Sequence, residues 1–281
     1  MAKPKTAQKT KSKSAKPSAI VVLGMHRSGT SALSGVLSML GCDAPKTEFE
    51  PTPNNEKGYF ESKPLSDLLD QLLKSANSTW HDWRPFNAKW MQSLVANPFI
   101  DEAVEILDAE FPKSKLLLLK NPRLCRLVPF CTDMLNQKGV TPFFVLTYRN
   151  PVEVAASLSA RNKFSPAKVH LLWLRHVLDA EFATRGSPRY FTSYNAVLAD
   201  WGSEMTQLQD VLGVTFPKDI KQAQKQVGAF LTPNLRHHAA PAVIPLGDQD
   251  VSDWTRSVFE ILERWVGGSG KKADYKTLDE I

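Results

Sequence analysis

The chain has 281 residues, and its apolar and charged fractions are those of an ordinary globular protein with room for a sizeable core. Its formal net charge is +6, and residues 1–18 alone contain six lysines and no acidic residue. The rest of the chain is therefore near neutral, which argues against a domain-wide basic surface and against a nucleic-acid partner.

Residues 1–18 are rich in Lys, Ser, Pro, Thr and Ala without apolar periodicity, which predicts a disordered tail. This tail is interpreted either as a solubilising segment or as a weak contact to an anionic surface. No apolar run in the sequence approaches the length of a transmembrane segment or stands where a signal peptide would have one. We therefore expect a cytoplasmic protein, and the Ser-rich start leaves a transit peptide open.

Cysteine and histidine usage gives no metal signal. Cys42, Cys125 and Cys131 show no Cys-x2-Cys spacing, so they are expected to be reduced and structural. His237 and His238 are adjacent, but other ligand-type residues are missing nearby. We assign no metal.

The first predicted element is a buried strand at residues 19–23, which read Ala-Ile-Val-Val-Leu. Residues 24–33 follow and read Gly-Met-His-Arg-Ser-Gly-Thr-Ser-Ala-Leu, a glycine-bracketed turn that enters a helix. That helix is indicated by apolar residues at helical spacing from Leu33 to Leu40, before Gly41. A strand, loop and helix in this order aim backbone N–H groups at one point, which predicts an anion site.

The loop departs from the nucleotide-hydrolase pattern Gly-x4-Gly-Lys-Ser/Thr. Gly24 and Gly29 keep the spacing, but Thr30 stands in the lysine position, and the loop cation is Arg27. An arginine fork can hold two oxygens of a phosphate or sulfate side by side and stays charged.

Residues 42–112 form an irregular stretch broken by prolines, with helical periodicity returning near Leu68 and Leu107. Large insertions beyond the strand ends of an α/β sheet often carry acceptor-binding loops. We expect acceptor specificity to reside here.

Three further strands are predicted at residues 115–120, 142–148 and 189–193. The second and third strands of the chain end in or are followed by cations, namely Lys120, Arg123 and Arg149. A nucleotide hydrolase would instead be expected to end one of these strands in an aspartate that binds magnesium. The C-terminal ends of parallel strands converge on one crevice, so these cations and Arg27 are expected to share an anionic site.

These motifs resemble those of the sulfotransferases that use 3′-phosphoadenosine 5′-phosphosulfate. Arg-Ser-Gly-Thr at residues 27–30 is similar to their 5′-phosphosulfate loop, and residues 149–157 are similar to their 3′-phosphate motif, with Arg149 and Ser157 at the matching positions. Tyr194 matches a tyrosine that lies against the adenine, although Asn195 replaces the usual acidic residue. The resemblance spans roughly residues 19–265. It implies a P-loop-containing three-layer α/β/α fold, with a central, mainly parallel sheet flanked by helices.

The resemblance also implies a reaction and a set of roles. The reaction is in-line transfer of a sulfuryl group from the phosphosulfate co-substrate to a hydroxyl or amine, without a metal. A carbohydrate acceptor is preferred, and a lipid or small metabolite stays open. Donor binding is assigned to Arg27, Ser28, Gly29, Thr30, Ser31, Arg149, Ser157 and Tyr194; catalysis to Arg27, Lys120, Glu61 and His81; and the acceptor side to Arg123, Trp80 and Asp82.

Glu61 is the preferred general base because Gly-Tyr-Phe-Glu at residues 58–61 is similar to an element of bacterial members of the family. His81 and Asp82 come next, and His26 is a further candidate. The alternative for Glu61 is an ion pair with Arg123 or Lys120 that orients the cation without proton transfer.

Residues 19–266 are thus predicted to form one domain, followed by a flexible tail at 267–281. A basic segment at residues 235–238 resembles one that closes over the nucleotide in the family. Two other function classes remain: a phosphoryl-transfer enzyme such as a small kinase, and a catalytically silent nucleotide-binding protein.

Overall fold

The computed structural model describes residues 16–53, 55–231 and 251–281. Within these ranges four strands form one parallel sheet in the order β2-β1-β3-β4. Each strand lies within one residue of a predicted apolar run, because buried parallel strands are continuously apolar. The strands are β1 (Ser18–Leu23), β2 (Leu116–Lys120), β3 (Thr141–Tyr148) and β4 (Arg189–Ser193).

Helices cover both faces of this sheet, which confirms the predicted three-layer α/β/α fold. They are α1 (Thr30–Met39), α2 (Lys63–Ser75), α3 (Ala88–Met91), α4 (Ala96–Glu110), α5 (Val128–Gln137), α6 (Pro151–Asn162), α7 (Pro166–Ala183), α8 (Tyr194–Leu212), α9 (Ile220–Phe230), α10 (Asp253–Glu263) and α11 (Tyr275–Asp279). Short 3-10 helices lie at Pro122–Arg126 and Lys272–Asp274.

Successive residues of β1 pack against opposite helical layers, because side chains alternate between the two faces of a strand. Ile20 and Val22 pack with apolar residues of α1, α8 and α9. Ala19, Val21 and Leu23 face a larger cluster that includes α2, α4, α5, α6, α7 and α10. The sheet is therefore buried on both faces, and its C-terminal edge is where loops can reach a ligand.

Residues 42–112, predicted as an insertion, carry α2, α3 and α4 between α1 and β2. Two arginines of the main body hold its loop at residues 78–84. Arg126 donates from Nη1 to the carbonyl of Thr79 (3.1 Å) and from Nη2 to the carbonyl of Arg84 (2.7 Å). Arg175 on α7 donates from Nε to the carbonyl of Trp83 (3.1 Å). The loop is thereby fixed against α7 and the first 3-10 helix.

The segment from Gly267 onward differs from the flexible tail that was predicted. Its backbone pairs with β4, since the N–H of Gly267 donates to the carbonyl of Phe191 (2.9 Å) and the N–H of Phe191 donates to the carbonyl of Gly268 (2.7 Å). Arg189 Nε donates to the carbonyl of Ser269 (2.9 Å), and Leu278 on α11 is buried. Hydrogen bonding to the sheet and apolar burial order this segment, which corrects the prediction.

The core face of α10 is formed by Val258, Ile261 and Leu262, and Trp265 is buried just after the helix, whereas Trp254 is 56% exposed. Trp254 lies in the first turn of α10, beyond the part of the helix that contacts the core cluster.

Two predictions fall on parts of the chain outside the described residues: the disordered tail as far as residue 15, and the basic segment at 235–238, which includes His237 and His238. Among the described helices, none has the length and apolar character needed to cross a bilayer.

Candidate active site

The loop between β1 and α1 is tightly packed, which explains both of its glycines. A Cβ on Gly24 would lie 2.5 Å from the carbonyl oxygen of Thr147, so only glycine lets the loop pass β3. Gly29 has a φ of 82°, and a Cβ there would lie 2.3 Å from Cδ2 of Tyr194. Helix α1 then begins at Thr30 without a side-chain cap, so its first N–H groups are left for another acceptor.

A cleft of about 390 Å³ opens above this loop at the C-terminal ends of the strands. It receives residues from the loop, from the insertion, from β2, from the α6 region and from α8, which is the convergence predicted for a parallel sheet. Its lining comprises His26, Arg27, Gly29, Thr30, Ser31, Ala32, Pro53, Asn55, Glu56, Lys57, Tyr59, Glu61, Lys120, Pro122, Arg149, Arg161, Tyr194 and Phe230.

The structure brings together the two segments that the sequence analysis assigned to phosphate binding. Arg27 Nε donates a hydrogen bond to Ser157 Oγ (2.8 Å), although 130 positions separate the two residues. Arg149 lies with its guanidinium carbon 4.8 Å from the centre of the Tyr194 ring and forms an ion pair with Glu153. The loop, the start and middle of α6, and the start of α8 therefore meet at one place.

Positive charge is concentrated around Arg27. Burial, followed by the nearby guanidinium groups of Arg161 and Arg149, lowers the pKa of Arg27. Burial likewise lowers the pKa of Arg161. Each effect reports a guanidinium removed from water, and such a cluster favours an anion that neutralises it.

Lys120 at the end of β2 is held by three acceptors. Its Nζ lies 2.5 Å from Glu61 Oε1, 3.0 Å from the carbonyl oxygen of Tyr59 and 3.3 Å from Ser31 Oγ. The Lys120 and Glu61 side chains are 2% and 7% exposed. This is the ion pair that the sequence analysis left as an alternative for Glu61.

Ser28 and Thr30 of the loop are both buried. Ser28 Oγ has no hydrogen-bond partner among the described residues, and its backbone N–H donates to the carbonyl of Met25 (3.1 Å). Ser31 Oγ, in contrast, accepts from Asn55 Nδ2 (3.1 Å). The loop is thus joined to the insertion through Ser31.

His26 lies at the boundary between the loop and the insertion. Its ring centre is 4.4 Å from a ring centre of Trp80, and its Nε2 is buried without a partner among the described residues. Burial, followed by the positive charge of Arg123, holds the pKa of His26 well below its usual value. The imidazole is therefore neutral at physiological pH.

Six of the predicted residues are not part of the cleft lining: Ser28, Trp80, His81, Asp82, Arg123 and Ser157. His81 and Asp82 line a separate groove of about 480 Å³, and the ring centre of His81 lies 5.1 Å from that of Trp80. Hydrogen bonding from Arg84 lowers the pKa of Asp82 to about 2. Arg123 is engaged by Asp70 through Nε (2.6 Å) and Nη2 (2.7 Å).

Sequence reasoning missed several cleft residues. Arg161 stands one helical turn after Ser157 and therefore lies on the same face of α6. This four-residue spacing would have allowed Arg161 to be predicted as a site residue. Asn55, Lys57 and Phe230 also line the cleft. Asn55 and Lys57 belong to an irregular segment whose position no periodicity indicates.

No family model matches the chain, and a search of curated proteins found no match. Among solved structures, the chain is similar to the sulfotransferase domain of the Synechococcus PCC 7002 olefin synthase, with 19% identity, a TM-score of 0.46, and coverage of 90% of this chain and 98% of that chain. It is also similar to sulfotransferase STF1 from Mycobacterium tuberculosis H37Rv, with 17% identity, a TM-score of 0.47, and coverage of 90% and 77%. Retinol dehydratase, in complex with androsterone and the inactive cofactor PAP, matches with 14% identity, a TM-score of 0.37, and coverage of 89% and 80%.

Proposed function

We propose that this chain is a sulfotransferase that moves a sulfuryl group from 3′-phosphoadenosine 5′-phosphosulfate to a hydroxyl or amine acceptor. The observation that carries the proposal is the hydrogen bond from Arg27 to Ser157. It joins the loop that resembles a 5′-phosphosulfate site to the helix that carries the motif resembling a 3′-phosphate site, and Arg27, Arg149 and Arg161 line the same cleft.

The cleft fits an anionic nucleotide. The positive φ values of Arg27 (70°) and Gly29 (82°) shape the loop into a turn that presents N–H groups, and only a glycine at position 29 avoids a collision with the Tyr194 ring. Residues 27–31 would hold the phosphosulfate, Arg149 and Ser157 the 3′-phosphate, and Tyr194 the adenine. Arg161 adds a further cation on the Ser157 side of the cleft.

The chemistry requires positive charge where negative charge develops. As the bond from sulfur to the bridging phosphate oxygen breaks, charge accumulates on the leaving phosphate, and Arg27 and the loop N–H groups stabilise it. Lys120 stands at the end of the neighbouring strand, and its ion pair with Glu61 fixes the position of the ammonium group. A preorganised ammonium group stabilises the transition state without reorganisation.

Glu61 is proposed for one of two roles. Its Oε1 is bound by Lys120, which suits an orienting role, while the second carboxylate oxygen, Oε2, would have to serve the predicted role of general base. An active Glu61→Gln variant with unchanged turnover would remove the role of base.

The acceptor is proposed to enter from the insertion side. Trp80 packs against His26 beside the cleft, and an indole face can stack on a sugar or an aromatic group. We retain carbohydrate as the preferred acceptor class. His81 and Asp82 line the separate groove and would contact only a larger acceptor, while Arg123 is held by Asp70.

The proposal is tested by calorimetric titration with adenosine 3′,5′-bisphosphate, adenosine 5′-phosphate and ATP, each with and without magnesium. We expect metal-independent binding that needs the 3′-phosphate. Ser157→Ala removes one hydrogen-bonding hydroxyl and should weaken bisphosphate binding about tenfold, or ~1.4 kcal/mol.

Ser159→Ala is the matched control on the same helix, because Ser159 Oγ donates to the carbonyl of Phe164 (2.8 Å), whereas Ser157 Oγ accepts from Arg27. Its bisphosphate affinity should equal that of the wild type. Preference for ATP with magnesium would instead identify a phosphoryl-transfer protein.

A further inference from the structure

Sulfuryl transfer to a hydroxyl needs a group that accepts the acceptor proton. Among the described cleft residues, the carboxylates and imidazole able to do so are Glu56, Glu61 and His26. Glu56 is exposed, and Glu61 is bound to Lys120. We propose that the imidazole of His26 accepts this proton, an inference that rests on the proposed function.

The position of His26 suits this role. It immediately precedes Arg27, which lies at the donor side, and its ring packs 4.4 Å from Trp80, which belongs to the insertion. His26 also lines the cleft itself. A base held between the donor loop and the acceptor-side insertion can reach a hydroxyl placed for in-line attack.

The surroundings keep the ring unprotonated before reaction. Arg123 of the first 3-10 helix, Arg161 on α6 and Lys120 on β2 are positively charged groups near His26, and each disfavours a second positive charge there; His176 on α7 is also near but is neutral. Glu61 offsets part of the Lys120 charge. The lone pair of a neutral imidazole is available to a proton donor.

His176 on α7 is a second buried imidazole close enough to influence His26 electrostatically. Its Nδ1 lies 2.8 Å from the carbonyl oxygen of Leu172, and a carbonyl only accepts, so Nδ1 carries the hydrogen and neutral Nε2 carries the lone pair. Nε2 of His176 and Nε2 of His26 are both buried without partners among the described residues. In this proposal the hydrogen of the neutral His26 ring is on Nε2, because Nε2 is buried, and the proton-accepting lone pair is on Nδ1.

The step balances as follows. The acceptor oxygen forms a bond to sulfur while the bond from sulfur to the bridging phosphate oxygen breaks, and the electron pair of that bond leaves with the phosphate. The acceptor proton passes to His26, and the imidazolium later releases it to solvent. The anionic nucleotide beside the ring stabilises the imidazolium while it exists.

The first experiment follows hydrolysis of radiolabelled 3′-phosphoadenosine 5′-phosphosulfate, in which water is the acceptor and no other substrate is required. His26→Gln retains hydrogen bonding without basicity and should lower the hydrolysis rate about 100-fold, which is the smallest rate contribution typical of a general base. The Kd for adenosine 3′,5′-bisphosphate should change less than about threefold. Imidazole added to His26→Ala should restore activity in proportion to its free-base concentration.

The pH profile separates His26 from Glu61. Wild-type hydrolysis should rise with pH to a plateau as His26 loses its proton, and Glu61→Gln should keep that rise at a lower rate. His26→Gln should lack it. An unchanged rate in His26→Gln, or a wild-type rate equal to the uncatalysed one, overturns the inference while leaving bisphosphate binding, and with it the proposed donor site, intact.

A second measurement uses the wild-type protein, so a poorly folded variant cannot decide the matter. Proton NMR of the histidine rings should show a pKa for His26 below the ordinary value in the free protein and a clear rise on saturation with adenosine 3′,5′-bisphosphate. A pKa of His26 that does not change when the bisphosphate binds would overturn the inference. Failure of the bisphosphate to bind at all would reject the proposed function itself.

Discussion

Lys120 and Glu61 form an ion pair in which 2.5 Å separates Nζ from Oε1 and both side chains are nearly inaccessible to water. Lys138 and Asp108 form a pair with the same separation, but those side chains are 30% and 60% exposed. The chain therefore contains a buried and an exposed pair of equal length, which allows the effect of burial to be measured directly.

Lys120→Met should destabilise the protein by about 3 kcal/mol, because it leaves a buried carboxylate without its partner. Lys138→Met removes the exposed partner and should cost less than about 1 kcal/mol. Urea denaturation at neutral pH measures both free energies of unfolding. Equal losses in the two variants would contradict the proposed difference in burial.

Gly29→Ala should abolish tight binding of adenosine 3′,5′-bisphosphate, because the new methyl group would collide with the Tyr194 ring. Gly139→Ala is the control: its φ is also positive (65°), but no atom lies within 4 Å of the added Cβ. Both variants should lose about 1 kcal/mol or more of stability from backbone strain. Calorimetry should find at least a tenfold weaker Kd for Gly29→Ala alone.

Protonation of His176 should destabilise the fold in acid. Burial lowers the pKa of His176 from 6.5 to about 4, so the unfolded chain binds this proton more readily than the folded chain does. The contribution of His176 is complete above pH 6.5 and is lost as pH falls toward 4, by about 3 kcal/mol in total. His176→Asn, which retains a donor for the Leu172 carbonyl, should show a shallower decline in urea denaturation between these pH values. Parallel declines would exclude His176 as the cause.

Arg126→Met should loosen the loop at residues 78–84, because the carbonyls of Thr79 and Arg84 lose their donor. Hydrogen–deuterium exchange should become faster in this loop, with a loss of global stability of about 2 kcal/mol. Arg84→Met is a suitable comparison, since the Arg84 side chain is 63% exposed and pairs with Asp82. Unchanged exchange in Arg126→Met would mean that Arg175 alone holds the loop.

The strands and the loop were predictable because their signals are local. A continuous apolar run specifies a buried parallel strand, and the parallel arrangement then brings Lys120 and Arg149 to the same edge of the sheet. Only the family resemblance indicated that Arg27 and Ser157 belong to one site. The residues next to each of them in the sequence carry no signal that two side chains 130 positions apart are in contact.

The remaining features depend on packing that sequence patterns do not encode. Glu61 pairs with Lys120 and not with Arg123, because Arg123 is already engaged by Asp70. Asn55 reaches Ser31 from a segment without periodicity. The order of the C-terminal segment arises from two backbone hydrogen bonds to Phe191, and glycine-rich composition alone suggested a linker.

Those hydrogen bonds at Phe191 have a counterpart on the opposite side of the sheet. The N–H of Asp43 donates to the carbonyl of Leu116 (2.9 Å), and the N–H of Leu118 donates to the carbonyl of Asp43 (2.8 Å). The outermost strands, β2 and β4, are thus each partly covered by a short piece of their own chain. Covered outer strands offer few unpaired backbone groups to another molecule, so the sheet is protected against strand-by-strand aggregation.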